Sequence, residues 1–130
     1  MPAENLKLRT FRFAVDVGKL VQLLPYNILN RHYFGQITRS FSSTAANYRA
    51  AQRAKSEADF LNKLKIVEEE ADESVFFLEL LLVFNPEHEK TIQQLINEGT
   101  EIVKIIVAST NTVRTKIKKI NDKKQAPDTK

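Results

Sequence analysis

SEADFLNKLKIVEEEADESVFFLELLLVFNPEHE, residues 56–89, is the stretch that decides the fold. Phe60, Leu64, Val67, Ala71, Val75, Leu78 and Leu82 recur close to every 3.5 residues. That is the spacing of one helix face, not the two-residue alternation of a strand. Ser56 with Asp59 three residues on is a capping box, Asp standing where Glu would be better. At the far end Asn85 is placed to cap a following helix, with Pro86 as its first helical residue. Glu87 and Glu89 then suit the positive end of the helix dipole. The stretch predicts one helix over 57–84 and the start of another at 87.

The same periodicity extends in both directions. Phe13, Val17, Leu20, Val21 and Leu24 predict a helix over 10–24, which Pro25 ends because the residue before proline avoids the helical region. Asn27 is a cap for a helix over 28–52 with the stripe Phe34, Ile37, Phe41, Thr44/Ala45 and Tyr48. Ile92, Leu95/Ile96, Gly99, Ile102/Val103, Ile106, Thr110, Val113, Ile117 and Ile120 carry the last helix over 87–120. Four helices with short connections predict an all-α, up-down-up-down antiparallel four-helix bundle over 1–120. Residues 121–130 have nothing to bury and are expected to be a disordered basic tail.

Composition narrows the function classes. In 130 residues there are 3 Gly, 4 Pro, 2 His, 3 Tyr and no Cys or Trp. Thiolate metal sites and cysteine nucleophiles are excluded, and two His leave little for a histidine site. No nucleophile–base pair or phosphate loop is visible, so a non-enzymatic protein without cofactor or metal is expected. The start lacks a basic region followed by an apolar one, and Val75–Phe84 is ten residues, half of the roughly 20 that span a bilayer. A cytoplasmic protein with no membrane role is expected.

Charge is segregated. Residues 1–55 are net +7, residues 56–90 net −7 and residues 91–130 net +4, within an overall +4. Such blocks create strong local fields, suited to a polyanion or to pairing between segments or subunits. Phe76, Leu80 and Val83 lie off the helix-three stripe. Either that helix is the most buried of the monomer, or these residues form an oligomer interface, with the acidic run Glu68–Glu73 meeting a basic segment of a neighbour. Gln36, Ser40, Ser43 and Asn47 form a polar stripe on helix two, bordered by Arg39. It either packs against neighbouring helices or holds a ligand or phosphate.

The stretch Gln36-Ile-Thr-Arg39-Ser40-Phe-Ser42-Ser43-Thr-Ala-Ala-Asn47-Tyr48, with Ala58-Asp59-Phe60 and Glu70-Ala71-Asp72-Glu73-Ser74, resembles the signature of the 23S rRNA-intervening-sequence proteins. The similarity covers about residues 10–118 and is most specific over 36–82. It implies a small bacterial helical bundle that assembles into a homopentameric ring, with nucleic-acid binding the usual suggestion and no defining enzymatic activity. Thr44-Ala45, Ala50 and Lys55 depart from the family pattern and make helix two more basic.

Candidate nucleic-acid contacts are Arg39, Arg49, Arg53 and Lys55 on helix two, and Lys116, Lys118, Lys119, Lys123 and Lys124 on helix four. In an up-down bundle the C-terminal ends of these helices share one pole. Without a base-reading motif, salt-sensitive backbone contact to RNA or DNA is the form expected. The alternative is a scaffold ring that presents its charged surface to a protein partner.

Overall fold

The computed structural model describes residues 3–125, with side chains from residue 5. Helices α1 (Ala3–Leu23), α2 (Ile28–Ala51), α3 (Glu57–Phe84) and α4 (Glu89–Gln125) form an all-α bundle, with a short 3₁₀ turn at Pro86–His88 before α4. Each helix packs on the next and α1 closes against α4, so every helix has two neighbours. The α2–α3 and α3–α4 contacts dominate. Antiparallel pairing is visible in the falling register across α2 and α3, from Asn30–Asn85 through Ser40–Ser74. Across α3 and α4 it runs from Glu57–Lys116 to Val75 beside Gly99.

The core is continuous along the bundle. Phe13, Val17 and Leu20 of α1, Ile37 of α2, Leu64, Leu78 and Leu81 of α3, and Ile92, Ile102 and Ile106 of α4 are essentially inaccessible. Side chains of this size each contribute about 1.5–3 kcal/mol on burial. Gly99 is where α4 approaches most closely: a Cβ there would lie 2.8 Å from Val75 Cγ2 and 3.1 Å from the Phe13 ring.

Two capping expectations are met. The Asn27 side chain accepts from the Asn30 backbone N–H at 2.9 Å, and Ser56 Oγ from that of Asp59 at 3.0 Å. The third is corrected. Pro86 does open a helical turn, and the Asn85 carbonyl accepts from the His88 N–H at 3.0 Å, but the Asn85 side chain does not cap that turn. It turns inward instead. Its Nδ2 donates to Asn30 Oδ1 and to the Leu81 carbonyl, while Asn30 Nδ2 donates to Asn85 Oδ1 and to the Pro25 carbonyl, all at 2.8 Å. Both amides are buried. They tie the α1–α2 turn to the α3–α4 turn.

Two boundaries also move. α1 begins at Ala3 rather than near residue 10, because Leu6 and Thr10 extend its buried stripe at i−7 and i−3 from Phe13. α4 continues through 121–125, where a disordered tail was expected, since Lys, Gln and Asp permit helix and the first breaker is Pro127. Residues 126–130 of that tail lie outside the described residues.

Candidate nucleic-acid and self-association surfaces

The C-terminal end of α2, the start of α3 and the last third of α4 meet at one pole. Lys116 Nζ holds Glu57 Oε1 at 2.8 Å, which sets α4 beside the start of α3. Arg49, Arg53 and Lys55 are exposed there, as are Lys118 and Lys119. Beyond Val113, the last buried residue of α4, only Ile117 is partly covered. The 12 residues after Val113 form an arm about 18 Å long at 1.5 Å per residue, held to the bundle in its first turn by Lys116 on Glu57 and Ile117 on the core and exposed beyond it. Arg114, Lys116, Lys118, Lys119, Lys123 and Lys124 lie on this arm, against Asp122 alone.

The acids at the pole have partners. Glu57 takes Lys116, and Asp59 takes Lys63 Nζ at 2.7 Å and the Lys55 N–H at 3.0 Å. These hydrogen bonds, Lys63 first, lower the Asp59 pKa below its ordinary value. Lys7 joins the pole by lining the same groove as Arg49. The periodicity of the sequence does not place it there, because the strong apolar stripe of α1 begins only at Phe13.

Arg39 belongs elsewhere. Its guanidinium bonds Glu73 and both carboxylate oxygens of Glu70, at 3.2 and 3.0 Å, and these contacts raise its pKa further, that to Glu73 most. Ten residues separate it from Arg49, about 15 Å along the helix.

The polar stripe lies along the α2–α3 seam. Ser40 is fully buried, and Ser74 Oγ donates to its Oγ at 3.1 Å. Asn47 Nδ2 donates to the Ser43 carbonyl and hydroxyl, both at 2.9 Å, and Gln36 is half-buried. Small side chains here let the two helices approach closely.

Apolar side chains are exposed at the α1–α2 turn, where Leu23, Tyr26 and Ile28 lie, and on two further surfaces. On α3, Phe76 (53% exposed) and Val83 (69%) project away from the core, with Leu80 half-buried between them. Phe76 meets Phe77 edge to face at 5.3 Å, and Tyr33 stacks on Phe84 at 6.0 Å, widening this ridge. Between α1 and α2 lies a groove of about 670 Å³ lined by Leu8, Phe11, Ala14, Ala45 and Ala46, with Ser42, Lys7 and Arg49 at its margins. Among the described residues no helix is long and apolar enough to cross a membrane, and no group of His, Cys, Asp and Glu is arranged to hold a metal ion.

The family model of the 23S rRNA-intervening sequence protein matches residues 6–108. A crystal structure of a protein of unknown function from the S23 ribosomal protein family of Bacteroides thetaiotaomicron is 32% identical to the chain. It superposes with a TM-score of 0.74, covering 85% of this chain and 99% of that one. No curated protein matches.

Proposed function

The chain belongs to the 23S rRNA-intervening sequence protein family, and on that premise we propose a non-enzymatic, self-associating bundle whose basic pole holds the phosphate backbone of RNA or DNA. The α4 arm carries this reading. A helix end that buries little beyond Ile117 exposes six cations against one acid of its own, Lys116 alone being paired with an acid of the bundle, and so offers charge to a polyanion. Arg49, Arg53, Lys55 and Lys7 extend the same field onto the body of the bundle. Cations at a helix C-terminus are also favoured by the dipole, but that effect fades within one turn. The arm is three turns long.

Self-association is inferred from the α3 ridge, since leaving Phe76 and Val83 in water forfeits burial that a neighbouring copy supplies. Five copies is the number implied by the family resemblance. A ring repeats the basic pole, multiplying weak backbone contacts. The bacterial cytoplasm is where we place this activity.

Fluorescence anisotropy with short single- and double-stranded RNA and DNA, from 50 to 300 mM salt, tests the proposal. Binding is expected to weaken steeply with salt, each phosphate contributing about 0.7–0.9 to the log–log slope. Arg49→Glu/Arg53→Glu/Lys55→Glu is expected to weaken it, and the same changes combined with Lys118→Glu/Lys119→Glu/Lys123→Glu/Lys124→Glu on the arm to abolish it. Binding that survives those changes refutes the pole. No binding at low salt moves the function to a scaffold that meets a protein partner.

A further inference from the structure

We propose that the polyanion held at the basic pole is a B-form DNA duplex, with the outer two turns of the α4 arm lying in its major groove. This placement rests on the basic-pole reading above and names its ligand. Residues 118–125 stand beyond the Glu57–Lys116 contact and are exposed throughout. They make a rod about 12 Å long and, with side chains, about 10–12 Å across.

Charge is not spread evenly around this rod. At about 100° per residue, Lys118, Asn121, Asp122 and Gln125 gather on one face that spans about 100°. Lys119 and Lys124 stand about 110° to either side of the centre of that face, with Lys123 next to Lys119. The flanks are therefore cationic, and the strip between them holds two amides, a carboxylate and one lysine. Asp122, the acid of the arm, is in the strip and not on a flank. Two phosphate backbones on opposite sides of the helix, with base edges between them, match this pattern. A single strand lying along the arm meets one flank and leaves the other in water. The strip also carries the side chains that read base edges. Asn and Gln match adenine, Lys matches guanine, and Asp accepts from the cytosine amino group.

Size selects the duplex. The major groove of B-DNA is about 12 Å wide and about 8.5 Å deep and admits a helix, whereas the minor groove, about 6 Å wide, does not. The major groove of A-form RNA is too deep and narrow for side chains to read. Duplex RNA therefore meets the arm from outside and cannot engage both flanks. With the arm seated in DNA, Arg49, Arg53 and Lys55 stay on the body of the bundle, available to phosphates beside the groove.

The test uses the full chain with a short mixed-sequence duplex in DNA and in RNA form, and with the separate DNA strands, in fluorescence anisotropy. At about 100 mM salt, duplex DNA is expected to bind about tenfold or more tighter than either alternative, the counterion-release worth of one phosphate contact. Dimethyl sulfate methylation of guanine N7, which lies in the major groove, is expected to fall when the protein binds. Lys119→Gln/Lys124→Gln, with helicity followed by circular dichroism, is expected to lower the salt slope on duplex DNA by about 1.8. Duplex RNA or single strands bound as tightly as duplex DNA, unprotected guanine N7, or an unchanged slope in the helical variant each overturn the groove placement while leaving the basic pole standing. No binding to any of these nucleic acids, even at low salt, overturns the basic-pole reading itself.

Discussion

Asn30→Ala removes half of the buried amide pair that joins the two turns at the end of the bundle opposite the basic pole. The side chain is inaccessible and takes part in three hydrogen bonds of 2.8 Å. Its loss leaves Asn85 Oδ1 without a donor and one Asn85 Nδ2 proton without an acceptor. The Pro25 carbonyl still receives the Asn27 N–H, and Asn85 keeps its bond to the Leu81 carbonyl. Two orphaned groups at about 1–3 kcal/mol each, eased by some relaxation, give an expected loss of about 3 kcal/mol. Asn85→Ala orphans Asn30 Oδ1, one Asn30 Nδ2 proton and the Leu81 carbonyl, at a similar or somewhat greater cost. The double variant has no amide left to orphan. Its loss is expected to fall short of the sum of the single losses by about 2 kcal/mol. Urea denaturation at fixed protomer concentration measures the cycle, since assembly makes apparent stability concentration-dependent. Single losses below about 0.5 kcal/mol, or a double variant additive within about 0.5 kcal/mol, refute the reasoning.

Glycine substitutions should split by sign. Gly99→Ala gains about 1 kcal/mol of helix propensity but drives a Cβ against Val75 and Phe13, so a net loss of about 1 kcal/mol is expected. Gly18→Ala meets open space and should gain about 0.5–1 kcal/mol, and thermal melts moving in the same direction for both would refute the packing argument. Asp59 has a folded pKa below its unfolded value of about 3.9, so its contribution is full above that pH and is lost as pH falls through the folded value. The stability gap between wild type and Asp59→Asn, measured by urea titration, should therefore be constant near neutrality and close below about pH 4; a gap unchanged in acid contradicts it. Arg39→Gln should leave the salt slope of nucleic-acid binding unchanged, because Glu70 and Glu73 hold the guanidinium; a slope lower by about 0.7–0.9 would place a phosphate on it.

The helices were legible because apolar spacing is a strong signal, and α2 and α3 lie where it put them. What misled was polarity inside the core. The buried side of α3 is Leu64, Val67, Ala71, Ser74, Leu78, Leu81 and Asn85, an unbroken alternation of three and four. Choosing the apolar Val75 and Leu82 in place of Ser74 and Leu81 shifted the stripe by one residue, and Asn85 passed as a cap. Ser74 is satisfied by Ser40 and the Glu70 carbonyl, and Asn85 by Asn30. Partners of that kind, 34 and 55 residues away, leave no local trace. Arg39 escaped for the same reason, since the acids that occupy it lie on another helix. The pole was legible from charge and topology together, but Lys7 depended on seven helical residues that precede the obvious stripe.

The arm of α4 has an uneven claim to its own helicity. A free segment of 12 residues is too short to hold a helix well in water, because the first turn must be fixed before any later bond is gained. Here the buried half of α4 supplies that nucleus, and the arm propagates from it one residue at a time. Its order is inherited, and should decline with distance from Val113. Amide exchange would then read as a gradient along 114–125, and a polyanion that relieves repulsion among the lysines would flatten the gradient from its outer end.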